Sequence, residues 1–481
     1  MTKKQFYSLM CTLVSLSPMT LCATANPHKG KEAKLFAMIQ KKLKKGDTTY
    51  DRCFGCVTGA AIGDTIGSYL EFTPKNKVAD AMEMPGGGCW GVAPGQVTDD
   101  TELASSLGRG LRKMIKEYEK GHYNSSPIVK EYVGWTHGAF DTGFCTKATL
   151  GGVTIEKEAK ATLKYVKEMK RKAAAYNVKK LSKYPKGGGN LANGALMRCT
   201  PLIVYGHNLS KEQLAQLMVE DASLSHANKI GYRANQTYAI AIQSLLNSTE
   251  EDRKKRMKEA FTVAEEWLKG KVNKGDKDAK KVYEWLKEAK DASDESDLSD
   301  ATKGQGFMKH AFERTFYHLH RGSTFVEAIE STIADRGDTD TNACIVGGLF
   351  GAIDGYTELR KLESPKEKVK YVKRVIESDL NQGSHANRNH YHPATFIENL
   401  PTVIDEAPSK ILSINRDDTT KGDDKGKDSG PKKPNTKKQF SSLFVPVIAL
   451  VGIGVGLLSF LTYRKARSQK TVYNEVYVEE E

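Results

Sequence analysis

The chain has 481 residues and a formal net charge of +14. That length exceeds one ordinary domain without clearly reaching three. The basic balance invites an anionic partner, but the lysines are diffuse and neither aromatic–basic interleaving nor a recognised nucleic-acid motif occurs, which sets nucleic acid aside.

Residues 1–25 place Lys3 and Lys4 before an apolar stretch and Ala23-Thr24-Ala25, the order of a signal peptide. Residues 26–50 read as a Lys-rich lead-in. From 51 to 395 apolar residues recur at helical spacing, as in Leu103, Leu107, Leu111 and Ile115. Few runs alternate with period two, so this body is expected to be all-α. Within it, 250–300 reads as two amphipathic helices joined at Gly275, a charged insertion on the outside of the core. Residues 396–442 form a linker, largely a disordered stalk of Lys, Asp, Gly, Pro and Thr. The stretch 443–463 is free of charge and long enough for one C-terminal transmembrane helix, and 464–481 is a short tail. Together with the signal peptide, this predicts a single-pass membrane protein, its body lumenal or extracellular and its tail cytosolic.

Of the eight cysteines, Cys11 and Cys22 would leave with the signal. The remaining even number permits disulfides in an oxidising compartment. The pair Cys53-x-x-Cys56 reads as structural or free. Sequons at Asn124, Asn208, Asn235 and Asn247 are glycosylation candidates under that topology.

Two acidic clusters carry the chemistry. Thr98-Asp99-Asp100-Thr101 and Asp338-Thr339-Asp340-Thr341 each stand where a Gly-containing loop enters a helical run. One such cluster alone would be read as helix capping, with Thr98 or Asp338 as the cap and acids at the positive end of the helix dipole. Two facing each other would crowd four carboxylates. Crowded carboxylates raise one another's pKa unless a cation lies between them. Carboxylate and hydroxyl oxygens favour Mg²⁺, Mn²⁺ or Ca²⁺ over Zn²⁺. The small residues Ala343, Gly347, Gly348, Gly351 and Ala352 that follow allow close backbone packing. So does the Gly59-x-x-x-Gly63-Asp64 run, whose spacing belongs to helix packing and not to a phosphate loop. The Gly-rich segment through Gly188, Gly189, Asn190, Leu191, Ala192, Asn193 and Gly194 offers backbone amides for a pyrophosphate, or is simply an inter-helix loop.

The chain resembles the ADP-ribosylglycohydrolases over roughly 51–395. The resemblance rests on ordered motifs: Gly63-Asp64 through Glu71-Phe72, Met84-Pro85-Gly86-Gly87-Gly88, Pro94-Gly95-Gln96 with Thr98-Asp99-Asp100-Thr101, Asn193-Gly194 with Met197-Arg198, Ser225-His226, and Gly337-Asp338-Thr339-Asp340-Thr341-Asn342. It implies an orthogonal all-α bundle and a binuclear centre of two Mg²⁺ or Mn²⁺ ions. Thr98, Asp99, Asp100, Asp338, Asp340 and Thr341 would be ligands, with Glu71 as a mobile glutamate that ligates metal or closes over substrate. The loop 188–194 would cradle ADP-ribose, and His226 would touch substrate. Asp141 matches a further acidic residue near the scissile bond, so Glu71, Asp100 and Asp141 are the catalytic candidates.

The implied activity is metal-dependent hydrolysis of the bond between ADP-ribose and a protein side chain, arginine favoured, or of a small ADP-ribose conjugate. The alternative is a catalytically silent ADP-ribose-binding or structural membrane protein on the same fold. One departure stands out: most members read Gly-Gly before the second acidic cluster, where this chain reads Arg336-Gly337.

Overall fold

The computed structural model describes residues 26–416, apart from 75–76, 156–161 and 184–187. The all-α expectation holds for these residues. The strands among them are a two-residue parallel pair, β1 (His122–Tyr123) and β2 (Ser413–Ile414), which ties residues 411–415 to the bundle.

The helices that position the site are α1 (Lys31–Leu43), α2 (Thr48–Gly67), α3 (Asp99–Glu117), α4 (Lys229–Asn247), α5 (Arg253–Val272), α6 (Lys277–Asp291), α7 (Met308–Arg321) and α8 (Thr339–Leu359). Helices α2 and α8 form the centre. Both are buried along nearly their whole length, as expected for helices with no polar face. They run antiparallel along a glycine seam. A Cβ at Gly55 would lie 2.3 Å from Gly351 O, at Gly59 2.3 Å from Gly347 O, and at Gly63 2.0 Å from Ala343 O. No side chain fits there, so backbone meets backbone. The seam ends where Gly67 faces Asp340, 2.4 Å from its Cα by the same measure. Glycine spacing therefore fixes where the second acidic cluster stands: beside the end of α2, next to Asp64 and Glu71. Tyr238 of α4 locks the pair from the side through its hydroxyl, which donates to Ile345 O at 2.7 Å.

Helices α5 and α6 fall within 250–300 and are joined by a turn in which Gly275 has φ +83°. They bury Met257, Phe261, Leu268, Val282, Trp285 and Leu286 against α4 and α7 and turn their lysines outward.

The expected transmembrane helix requires correction. Among the described residues, no helix is long and apolar enough to cross a membrane. The stretch 443–463 lies outside the described residues, as do the signal segment 1–25 and the tail 464–481. The single-pass placement, with a lumenal or extracellular body, thus has no support in the structure. Hydropathy reports how a stretch would partition if it were a helix in lipid, and it does not report whether that helix forms. The apolar helices that are described, α2 and α8, spend their surface on each other. Two of the sequons also fail as glycan sites, because Asn124 and Asn235 are buried and their amides bond Arg416 O and Gly231 O. The described cysteines are all free, and Cys53 and Cys56 are buried.

Candidate metal and substrate site

Thr98 and Asp338 occupy the N-cap positions of α3 and α8, yet neither side chain caps its helix. Both turn away, toward a shared acidic centre. Thr98 Oγ1 lies 2.8 Å from Asp64 Oδ1, 3.1 Å from Asp100 Oδ2 and 3.4 Å from Asp340 Oδ2. Asp338 Oδ2 accepts from Asn193 Nδ2 at 2.7 Å. Capping, the simpler explanation of these acids, is therefore not what they do.

The capping of α3 falls to Asp64, a residue the sequence reading passed over as part of a packing motif. Its carboxylate accepts from Thr98 N at 3.0 Å and Thr101 N at 3.1 Å, across from another helix. It satisfies two of the amides that a helix start leaves without partners. A lone aspartate in the run Gly59-Ala-Ala-Ile-Gly63-Asp64 was the available signal, since a charge amid small buried residues needs a purpose.

Two groups of carboxylates converge. Asp64, Asp100 and Asp340 can bring one oxygen each within 4.8 Å of one another, and so can Glu71, Asp338 and Asp340. Asp340 belongs to both. All of these residues are buried. Burial, then repulsion from Asp64 and Asp338, push Asp99 up to about 7, and burial, against the hydrogen bonds from Thr98 and Thr101, pushes Asp64 up to about 6. Burial raises Asp100 well above the carboxylate range, assisted by the charges of Asp64 and Asp99. Asp340 is raised likewise by burial and then by Glu71.

The donors present cannot satisfy this centre. Thr98 has one hydroxyl proton and three carboxylates in reach. Asp100 Oδ1 is buried without a hydrogen-bond partner. An all-oxygen set with surplus acceptors fits hard divalent cations. Thr98, Asp99, Asp100, Asp338, Asp340 and Thr341 all lie in or against it, the last through a hydrogen bond with Asp100.

The remaining expected residues arrive from other segments. Glu71, just past α2, is buried and held by Trp90 Nε1 and, at 3.5 Å, Cys89 Sγ. Its proton affinity is raised by burial first and then by Asp141. Asp141 is buried and raised in the same way, by burial first and then by the charges of Asp99 and Asp340. The segment after it is tied in by Gly143 N, which donates to Asp99. Trp90 is a second residue that sequence reading missed, because its role depends on a loop closing back over Glu71.

The loop through Gly188–Gly194 splits into two parts. Asn193 and Gly194 are joined to the acidic centre through the Asn193–Asp338 bond. Gly188 and Asn190 are tied to Asn228 and Asn177, and Asn190 Nδ2 also bonds Cys145 Sγ. Leu191 O accepts from Met308 N, and Ala192 pairs with Phe307. Gly188 and Gly189 have φ of +74° and +89°, which suits glycine.

His226 packs against Gly194, where an added Cβ would lie 2.9 Å from its ring. The buried Arg198 donates to Gly194 O at 3.1 Å and Ser225 Oγ at 2.8 Å, and pairs with Asp221. Ser225 Oγ also lies 2.8 Å from His226 Nδ1. Burial lowers the imidazole to about 3, so it is neutral.

Fold and site together define an all-α protein with a carboxylate-rich centre beside a glycine-rich loop. The family description ADP-ribosylglycohydrolase matches residues 45–389, and the chain belongs to that family. It is 24% identical over 323 residues to the ADP-ribosyl-[dinitrogen reductase] glycohydrolase of Rhodospirillum rubrum, covering 65% of this chain and 89% of that protein. It is 24% identical over 319 residues to the ADP-ribosylarginine hydrolase Tri1 of Pseudomonas putida (strain GB-1), covering 63% and 71%. Tri1 of Serratia proteamaculans (strain 568) is 29% identical over 144 residues, covering 25% and 38%.

Proposed function

We propose that the protein hydrolyses the glycosidic bond between ADP-ribose and a protein side chain, with arginine as the favoured acceptor, in a reaction that depends on two Mg²⁺ or Mn²⁺ ions. The observation that carries this reading is the pair of carboxylate trios sharing Asp340. The names of the Pseudomonas and Serratia relatives favour arginine.

The cations would be held by Thr98, Asp99, Asp100, Asp338, Asp340 and Thr341, with Glu71 at the second trio. Bound there, they would supply Lewis acidity and lower the pKa of water. The chain's own residues do the rest. Amides of the 188–194 loop other than those of Asn190 and Asn193, which bond Asn177 Oδ1 and Gly306 O, and the ring of His226 would meet the diphosphate and ribose. Asp100 or Glu71 takes a proton from the attacking water. The transition state is oxocarbenium-like, as in other glycosyl transfers, and a guanidine leaves poorly unless protonated. Asp141 stands outside both trios, and burial is the leading cause of its raised proton affinity. That raised proton affinity suits it to give a proton to the leaving nitrogen.

Defined arginine- and serine-linked ADP-ribose peptides, incubated with the purified protein and Mg²⁺ or Mn²⁺, test this. Release of ADP-ribose is expected, and chelator is expected to stop it. The double substitution Asp99→Asn and Asp100→Asn should cut turnover at least a hundredfold, the scale of losing groups that stabilise a transition state. Wild-type turnover in that variant would end the two-cation reading. Tight binding of ADP-ribose without metal-dependent release would favour a silent binding protein.

A further inference from the structure

The helix Leu163–Lys183 carries eight Lys and Arg residues against one Glu, an excess equal to half the chain's net charge of +14. Its faces divide. Val166, Met169 and Ala173 are buried. Lys164, Lys167, Arg171, Ala174, Val178 and Leu181, spaced three and four residues apart, form one exposed stripe on the opposite face. The stripe is basic in its first half and apolar in its second. Lys170 and Arg171 pair with Glu220 and Glu168, whereas Lys164, Lys167 and Lys179 have no acidic partner among the described residues. The apolar end meets the site. Asn177 Oδ1 accepts from Asn190 N at 2.8 Å and Asn228 Nδ2 at 3.2 Å, and a Cβ at Gly189 would lie 3.0 Å from Leu181 Cγ. Phe144 opens the short helix Phe144–Thr149, which packs on this one, just after the Gly143 amide that donates to Asp99. Phe144, Val178 and Leu181 are three of the four large apolar side chains exposed among the described residues.

We infer that this stripe docks the ADP-ribosylated protein itself, through an acidic surface that flanks the modified residue; this rests on the function proposed above. The stripe runs about 25 Å from Leu181 to Lys164, at 1.5 Å per residue, away from the loop where the nucleotide would sit. Only a macromolecule attached to that nucleotide spans such a length. Unpaired lysines along it attract acidic partners and repel basic ones, which selects among modified proteins and speeds their encounter. Apolar side chains at the near end cover the chain on either side of the modified residue. A basic helix with an apolar edge also suits an anionic membrane. Here the helix has spent Val166, Met169 and Ala173 on the body, and its tie to the 188–194 loop favours a substrate.

The test compares ADP-ribosyl-arginine with two arginine-linked ADP-ribose peptides, one bearing Glu and one bearing Lys on both flanks. These charges begin about four residues out, because Arg171 lies about 15 Å from Leu181 and an extended chain advances about 3.4 Å per residue. The wild-type protein should show the lower KM for the Glu peptide, and the difference should shrink with salt. The triple substitution Lys164→Glu, Lys167→Glu and Lys179→Glu should raise KM for the Glu peptide about tenfold, the scale of three exposed charge pairs. It should leave kcat and the KM for ADP-ribosyl-arginine unchanged. Circular dichroism and Tm would establish that the variant folds. An unchanged KM for the Glu peptide overturns the docking surface, and so does an equal rise for ADP-ribosyl-arginine, which would put the charges on the nucleotide. Loss of binding to phosphatidylserine vesicles with KM unchanged overturns it in favour of a membrane. If the wild-type protein hydrolyses all three conjugates without preference, the function stands and the docking surface falls. If it hydrolyses none, the function falls and the docking surface with it.

Discussion

Arg336 stands where the resemblance leads one to expect glycine, and the backbone there has a glycine shape. Arg336 has φ +64° and Gly337 φ +77°. The guanidinium turns outward to Pro74 O at 3.4 Å, so it neither crowds the acidic centre nor adds a cation to it. The left-handed turn is retained because Gly337 O must accept from Phe72 N at 3.1 Å, which fixes the chain next to Glu71. An L-residue in this region costs about 1–2 kcal/mol. Glycine would lose more entropy on folding, roughly 0.5–1 kcal/mol. Arg336→Gly should therefore stabilise by about 1 kcal/mol and raise Tm by roughly 2 °C, measured by calorimetry. A lower Tm would mean the side chain has a structural role. At this scale the acidic pairs were legible in sequence, because Asp99, Asp100, Asp338 and Asp340 sit at helix starts that punctuation marks. Asp64 and Trp90 were not. Each acts through a contact made only after folding, Asp64 on amides 34 and 37 residues away and Trp90 on a glutamate brought in by a loop.

Among the elements, the α2–α8 pair decides whether a site exists. Its glycines leave no space for a methyl group, and the nearest atoms are backbone, which cannot rotate aside. Overpacking a close-packed core costs typically 1–3 kcal/mol. Gly59→Ala should reach about 3 kcal/mol, read from urea unfolding. It should also cut turnover, because separating the helices moves Asp340 away from Asp64 and Asp100. A variant of wild-type stability and activity would refute the seam as the positioning device. The helices, the small-residue pattern and the amphipathic pair within 250–300 were readable from periodicity. Their partners were not, since a glycine stripe states that something comes close without stating what. The transmembrane expectation was drawn from 443–463 alone, and hydropathy there names no neighbour.

Taken as a whole, the molecule buries more negative charge than its own donors can neutralise. Asp64 and Asp99 have folded pKa values raised to about 6 and 7. Groups raised in this way favour the folded state below their unfolded pKa near 3.8, and that contribution is lost as pH climbs through 6 and 7. His226, His310 and His318 are lowered by burial to about 3, 4 and 4. They act oppositely, costing stability as pH falls below 6.5. Above about pH 6.5 the acidic centre acts without that counterweight. Metal-free protein should thus lose Tm between about pH 6.5 and 8, and the increment on adding Mg²⁺ should be larger at pH 8 than at pH 5. Equal increments would count against cations at this centre.

The carboxylates that meet at Asp340 come from opposite ends of the folded body in chain order. Residues 64 to 100 leave the ribosome early and residues 338 to 340 late, with about half the sequence made in between. A nascent chain can assemble neither trio until synthesis has passed Asp340 and α8 has settled along α2. The acidic centre therefore forms in a single late step, and a product terminated before Asp338 would lack Asp338 and Asp340 and with them both trios.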